Sequence, residues 1–255
     1  MRVLLTGASG RLGRSLATAL GVSHDLLLGD IAQLDDPRFI HLDVTDLDAV
    51  RAAVQRCDAV VHMAIVDWPP CKPEETLRYA AATVEVHVTG THNMLQAAWE
   101  AGVRRFVHIS SVSVVDGLHS DAIITSDTRH YSNGLYGMTK GFGEDVCRMF
   151  HQSFGVPVAI LRLGTVYIPD ADGAWLGNRH YPASGEQPAP GATRVHVDDV
   201  TRAIGLALET PEPGYALVHI VGADSAHRCD LKAARRVYGW EPEYSFSPDG
   251  LPHAT

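Results

Sequence analysis

Residues 3 to 13, V-L-L-T-G-A-S-G-R-L-G, constrain what this chain can fold into more than any other run. Val3, Leu4 and Leu5 read as a buried strand. Gly7, Gly10 and Gly13 follow it, and Leu12, Leu16, Ala17, Ala19 and Leu20 then give an apolar helical stretch. Strand, glycine turn and helix together are what a dinucleotide pyrophosphate requires. Gly7 permits the tight turn, Gly10 lets backbone approach phosphate, and Gly13 lets the helix lie close to the sheet. The helix N-terminus then presents unpaired N–H groups and a partial positive charge to the anion. Ser9, Arg11 and Leu12 lie in the same turn and join the expected cofactor contacts. A second apolar run, Leu26-Leu27-Leu28, ends at Gly29-Asp30, and Asp30 stands 23 residues after Gly7 (30 − 7). An acid about 20 residues on is placed to accept hydrogen bonds from the adenosine ribose hydroxyls. A carboxylate there repels a 2′-phosphate, and no Arg or Lys follows at once, so NAD is expected over NADP.

A third signal is Tyr136-Gly137-Met138-Thr139-Lys140. Residues i and i+4 share a helix face, so phenol and ammonium can reach one pocket. A neutral phenol is a poor base at pH 7, and a nearby cation stabilises the phenolate. Upstream, the apolar strand Phe106-Val107-His108-Ile109 ends in Ser110-Ser111, and Ser111 precedes Tyr136 by 25 residues (136 − 111). A hydroxyl at that strand end can hold a substrate oxygen.

With these residues in order, the chain resembles the extended, sugar-epimerase-like branch of the short-chain dehydrogenases/reductases. Thr6-Gly7-Ala8-Ser9-Gly10-Arg11-Leu12-Gly13 matches that branch's T-G-x-x-G-x-x-G. Asp43-Val44 resembles the pair that lines the adenine, and His62-Met63-Ala64 its H-x-A segment beside the cofactor. Val88-Thr89-Gly90-Thr91-His92-Asn93-Met94-Leu95 looks like its V-x-G-T-x-N-L-L helix. Arg162-Leu163-Gly164-Thr165-Val166-Tyr167 and His196-Val197-Asp198-Asp199-Val200 match later segments. The resemblance implies Ser111, Tyr136 and Lys140 as catalytic residues. It implies Asp43, Val44, Met63, Ala64, Ile109, Tyr136 and Lys140 as cofactor contacts beside the glycine loop and Asp30.

Length and charge agree with an enzyme of this kind. The 255 residues suffice for one large α/β domain with a real core. A net charge of −9 with no basic tract argues against a nucleic-acid partner. No run is long enough to span a membrane, and the chain enters a strand at once, leaving no room for a signal peptide. Cys57, Cys71, Cys147 and Cys229 show no paired spacing and suit reduced thiols in a cytoplasm. The 14 His residues include no H-E-x-x-H or comparable cluster, so no metal is expected.

Strands are predicted near 2–6, 25–29, 38–41, 58–63, 105–110 and 157–163, with helices near 11–20, 46–55, 75–101 and 136–153. This alternation gives an α/β fold, a doubly wound parallel sheet of Rossmann type over 1–165. Residues 166–255 form a small C-terminal substrate-binding part rather than an independent domain. It comprises a Gly- and Pro-rich loop at 168–194, a helix near 197–209, a strand near 216–220 and a helix near 230–238. Residues 248–255 are expected to be mobile.

Among small members the resemblance is greatest to uronate dehydrogenases, which oxidise the anomeric hydroxyl of a sugar acid to a lactone with NAD. It runs through 136–145, Phe154-Gly155, Gly222-Ala223-Asp224-Ser225 and Tyr238-Gly239-Trp240-Glu241-Pro242. Three positions depart from it. Val112 stands where those enzymes have Asn, and Ala174 where an Arg clamps the carboxylate. His87 replaces the Asn that helps place the lysine's water network. Arg179 or His180 could substitute as substrate contacts beside Ser111, Val112 and Tyr136. A sugar epimerase and a non-catalytic nucleotide sensor are the alternatives. A dehydratase would carry Asp-Glu where Val112-Ser113 stand. A homodimer is expected through the long helices near 75–101 and 136–153, whose apolar stripes are Ala80, Val84, Val88, Leu95 and Phe142, Val146, Met149.

Overall fold

A computed structural model of the chain describes residues 1–66, 76–119, 121–169, 193–211, 214–247 and 251–255. Strand β1 (Arg2–Thr6) leads through the glycine turn into α1 (Arg11–Leu20) and β2 (Asp25–Asp30). β3 (Phe39–His41), α2 (Leu47–Val54) and β4 (Ala59–His62) follow. Next come α3 (Thr76–Val84), α4 (Thr91–Glu100), β5 (Arg105–Ser111), α5 (Leu135–Phe154) and β6 (Val158–Leu163). The remainder is β7 (Thr165–Tyr167), β8 (Arg194–His196), α6 (Val197–Glu209), β9 (Tyr215–Ile220), α7 (Lys232–Tyr238), β10 (Tyr244–Phe246) and β11 (Pro252–Ala254).

Among the described residues the main sheet has seven strands in the order β3-β2-β1-β4-β5-β6-β9, every pair parallel. The chain winds outward from β1 to β3, then returns to β4 and winds the other way. The reversal opens a crevice at the carboxyl ends of β1 and β4, where α/β sheets bind their ligands. Both faces of the sheet are buried, as a parallel sheet requires. Val3, Leu5, Val61 and Val107 face α1 and α6 on one side. Leu4, Val60, Phe106 and Ile160 face α2, α4 and α5 on the other.

Three elements differ from the sequence prediction. The helix expected over 75–101 is broken by one turn of π-helix at Glu85–Gly90, which separates α3 from α4. The tail expected to be mobile returns at Pro252–Ala254 to pair antiparallel with β10, Phe246 opposite Pro252. Phe246 anchors this pair from the core, where it is only 6% exposed and lies edge-on to Tyr167. β7 and β8, on either side of the Gly- and Pro-rich segment, pair in parallel.

The H-V-D-D-V run acts as a fastener. Asp199 Oδ1 accepts from the Glu243 N–H at 2.9 Å and Oδ2 from the Tyr244 N–H at 3.1 Å, while its carbonyl accepts from Trp240 Nε1 at 3.0 Å. One buried carboxylate at the start of α6 thereby ties the C-terminal strands to the domain.

Candidate active site

The turn after β1 works only with glycine. Gly7 sits at φ +74°, where L side chains are strained, and a Cβ there would meet Ala64 Cα and Met63 O at 3.1 Å. At Gly13 a Cβ would lie 2.6 Å from Ala8 O, so no other residue lets α1 start this close to the loop. The N-cap of α1 is Gly10, which has no side chain, so no capping group stands between the helix N-terminus and the crevice. Asp30 lies beneath the loop. Its Oδ2 accepts from the Ser9 N–H at 2.9 Å and its Oδ1 from the Ala32 N–H at 3.0 Å. These bonds hold the carboxylate at the crevice with lone pairs to spare.

The next wall is set by a chain of hydrogen bonds through buried His62. The Thr91 hydroxyl donates to His87 O at 2.6 Å, so it accepts from His62 Nε2 at 3.1 Å. His62 Nδ1 is then bare and accepts from the Thr6 hydroxyl at 2.8 Å. The Thr6 oxygen in turn accepts from the Met63 and Ala64 N–H groups at 3.2 and 3.3 Å. Burial pushes the His62 imidazole down to about 3, so it stays neutral and keeps this tautomer. Asp43 and Val44 form the adjoining loop. Asp43 Oδ1 accepts from the Thr45 N–H and hydroxyl, and the Asn93 amide braces the Val44 and Thr45 carbonyls at 3.1 and 3.0 Å.

Ser111, Tyr136 and Lys140 come together at the end of β5. Lys140 is only 3% exposed and donates to Ile109 O at 2.9 Å, so Ile109 contributes its carbonyl while its side chain packs in the core. Ser111 caps a 3-10 turn, Val112–Val115, its hydroxyl accepting from the Ser113 N–H at 3.1 Å. Tyr136 stands in the first turn of α5. Burial pushes its phenol up to about 12, against the hydrogen bond with Ser111, which lowers it. Burial pushes the Lys140 ammonium down to about 8, which leaves it charged at neutral pH. Val112 is half-buried beside them. Arg179, His180 and Ala174 lie outside the described residues.

With this geometry in view, the comparisons with known proteins are specific. The NAD dependent epimerase/dehydratase family matches residues 3–184. The chain belongs to that family. A uronate dehydrogenase of Pseudomonas syringae pv. tomato is 29% identical over 242 residues, 92% of this chain and 80% of that protein. An L-arabinose 1-dehydrogenase (NAD(P)(+)) of Haloferax volcanii is 28% identical over 182 residues, 66% of this chain and 68% of that protein. The crystal structure of a mutant uronate dehydrogenase from Agrobacterium tumefaciens, complexed with NAD, superposes with a TM-score of 0.78 at 27% identity, covering 94% of this chain and 84% of that one. The cofactor is NAD. The residues present fit it: the positive-φ Gly7 turn, the N-terminus of α1 and the Asp30 carboxylate, which accepts from Ser9 of that turn, meet at one crevice.

The sequence reading of this family member missed a buried ionic network behind the catalytic set. Glu144 is fully buried. It accepts from Ser110 Oγ at 2.5 Å, from Arg162 Nε and Nη2 at 2.9 and 2.8 Å, and pairs with His130 Nε2 at 2.8 Å. Burial raises its carboxyl, but the bonds from His130, Arg162 and Ser110 outweigh that and hold it down to about 2. The signal was there in the spacing. Tyr136, Lys140 and Glu144 stand at i, i+4 and i+8 on one stripe of α5.

His87, the departure from Asn, sits on the π-turn with 2% exposure. The Thr139 hydroxyl donates to the Leu135 and Tyr136 carbonyls, so His87 Nδ1 donates to it at 2.8 Å. The ring edge meets the Tyr136 ring with centroids 5.7 Å apart, and burial together with Lys140 pushes the imidazole down to about 2. A neutral side chain therefore stands where Asn stood.

Proposed function

We propose that this chain is an NAD-dependent dehydrogenase that oxidises the anomeric hydroxyl of a small aldose to a lactone. One observation carries the reading: the buried Lys140, tied to Ile109 O, lies one helical turn after Tyr136, whose phenol hydrogen-bonds Ser111. When bound, NAD would supply the hydride acceptor, the electrophilic C4 of its cationic nicotinamide ring. In this reading Tyr136 Oη takes the substrate's hydroxyl proton as the C1 hydride departs, leaving the lactone carbonyl. Ser111 hydrogen-bonds the reacting oxygen. Lys140 holds the nicotinamide ribose and lowers the cost of the phenolate. Gly7, Ser9, Gly10, Arg11, Leu12, Gly13, Asp30, Asp43, Val44, Met63, Ala64 and Ile109 are proposed to surround the cofactor. Because hydride donor and acceptor must meet within van der Waals reach, orientation contributes most of the rate.

A neutral aldose is favoured over a sugar acid. Val112 and Ala174 replace the polar residues expected to hold a uronate, and loss of a bidentate Arg removes much of a carboxylate's affinity. Arg179 and His180 are proposed substrate contacts on the strength of the sequence; of the stretch 166–255, α6 and β9 belong to the core of the main sheet. The test is a panel of neutral aldoses and uronates with NAD, followed by NADH absorbance and lactone detection. NADH with neutral aldoses supports the reading. Turnover confined to uronates rejects the substrate class, and tightly held NAD with sugar isomerisation but no NADH would make it an epimerase.

A homodimer of reduced, cytoplasmic protein is proposed as well. α4 and α5 expose a partly apolar surface, with Phe142 at 46%, Trp99 at 44% and Phe154 at 44%, and the last two rings 4.7 Å apart. Leu95, part of the expected stripe, faces the sheet instead, fully buried. No helix among the described residues is long and apolar enough to cross a membrane.

A further inference from the structure

We propose that Ser113 is a positioning residue for the reaction, the second hydroxyl of a reversible pair that aims the Ser111 proton. The inference rests on the dehydrogenase reading above and concerns a residue that reading does not use. Ser111 Oγ donates to Ser113 Oγ at 3.1 Å, while the Ser113 N–H donates back to Ser111 Oγ at 3.1 Å. The catalytic hydroxyl is thus held from two sides by one residue. Ser113 is also wedged against the catalytic helix. A Cβ on Gly137, the neighbour of Tyr136, would overlap the Ser113 carbonyl, with Ser113 C at 2.7 Å. The 3-10 turn carrying Ser113 therefore seats directly on the first turn of α5. One residue sets both the direction of the Ser111 hydroxyl and its spacing from Tyr136.

The chemistry follows from the donor inventory. A serine hydroxyl has one proton and two lone pairs. Before substrate arrives, the Ser111 proton is directed at Ser113, and the Ser111 oxygen meets the Tyr136 hydroxyl. When a substrate oxygen enters, Ser111 turns its proton to that oxygen and Ser113 donates into Ser111 Oγ. In that second state the Ser113 N–H and hydroxyl fill both lone pairs of Ser111 Oγ, and the Tyr136 hydroxyl, released from Ser111, turns to the same substrate oxygen, so no group is left unsatisfied. In the second state the two bonds point the same way, and each polarises the other. The Ser111 proton becomes a better donor to the negative charge that develops on the reacting oxygen. No proton leaves either serine, and neither bond to carbon changes.

The experiment compares Ser113→Ala and Ser113→Thr with the unmodified protein in NAD-dependent oxidation of the best aldose. Losing one neutral hydrogen bond in the transition state predicts that Ser113→Ala lowers kcat about three- to tenfold. KM, NAD affinity and melting temperature stay within about twofold or a few degrees. Ser113→Thr keeps the hydroxyl and restores most of kcat. A kcat within twofold of normal in Ser113→Ala overturns the proposal, with the dehydrogenase reading intact. Equal losses in Ala and Thr variants together with a lowered melting temperature overturn it too, since they mark a packing role. If the unmodified protein oxidises no sugar, the dehydrogenase reading has failed and takes this inference with it.

Discussion

The proposed mechanism ties Tyr136 to the reaction through a single hydroxyl, so Tyr136→Phe is a narrow probe. Turnover is expected to fall by about two to four orders of magnitude, the worth of a positioned acid–base group. NAD affinity, measured by calorimetry, should stay unchanged, because the glycine loop and Asp30 are untouched. Near-normal turnover would remove Tyr136 from the chemistry. Asp30 makes a separate prediction. Its carboxylate is fixed by the Ser9 and Ala32 N–H groups and is proposed to meet the adenosine ribose. Asp30→Ala should weaken NAD about ten- to hundredfold, the value of a hydrogen bond to a charged group, and narrow the gap to NADP. Equal binding of NAD and NADP by the unmodified protein would contradict the assignment.

At the scale of elements, close approach decides the site. α5 meets the 3-10 turn at Gly137 and His108 at Gly143, where a Cβ would lie 3.1 Å from His108 Nε2. Gly137→Ala should push the turn off the helix and separate Ser111 from Tyr136, lowering kcat more than NAD affinity. Kinetics and calorimetry on one preparation check this. The parallel strands, the glycine loop and the Tyr136–Lys140 pair were legible in the sequence because each is a local pattern: an apolar run, a fixed spacing, a helical period. The π-turn at Glu85–Gly90 was not, since it reflects tertiary demands. Gly90 packs tightly against Val44, and Thr91 must reach both His62 and His87 O. The Glu144 network joins residues from β5, α5, β6 and the loop before α5, a proximity that only the fold creates. The pairing of Pro252–Ala254 was hidden for the same reason, as its partner strand is held by Asp199 from α6.

The main sheet carries buried, neutral imidazoles on three of its strands, His62, His108 and His219, and these set the molecule's response to acid. Burial lowers His62 to about 3 and His219 to about 4, and pushes His108 well below its ordinary 6.5. In the unfolded chain the same groups protonate near 6.5. Below that pH the unfolded chain holds more protons, so stability is full above 6.5 and is lost as pH falls toward 4 and then 3. Each buried imidazole costs about 1.4 kcal/mol per pH unit in that window. Urea midpoints should therefore drop between pH 6.5 and 5.5, before any carboxylate titrates. A flat midpoint down to pH 4.5 would contradict this. The proposed dimer is checked by light scattering, where a monomer mass removes it. The central claim, hydride transfer from a sugar's anomeric carbon, is tested most directly by isotope. The protein is given NAD and the aldose it oxidises fastest, carrying deuterium at C1, and the NADH is weighed by mass spectrometry. The account predicts NADH heavier by the mass of the label. NADH free of deuterium, or no NADH with any sugar, would contradict it.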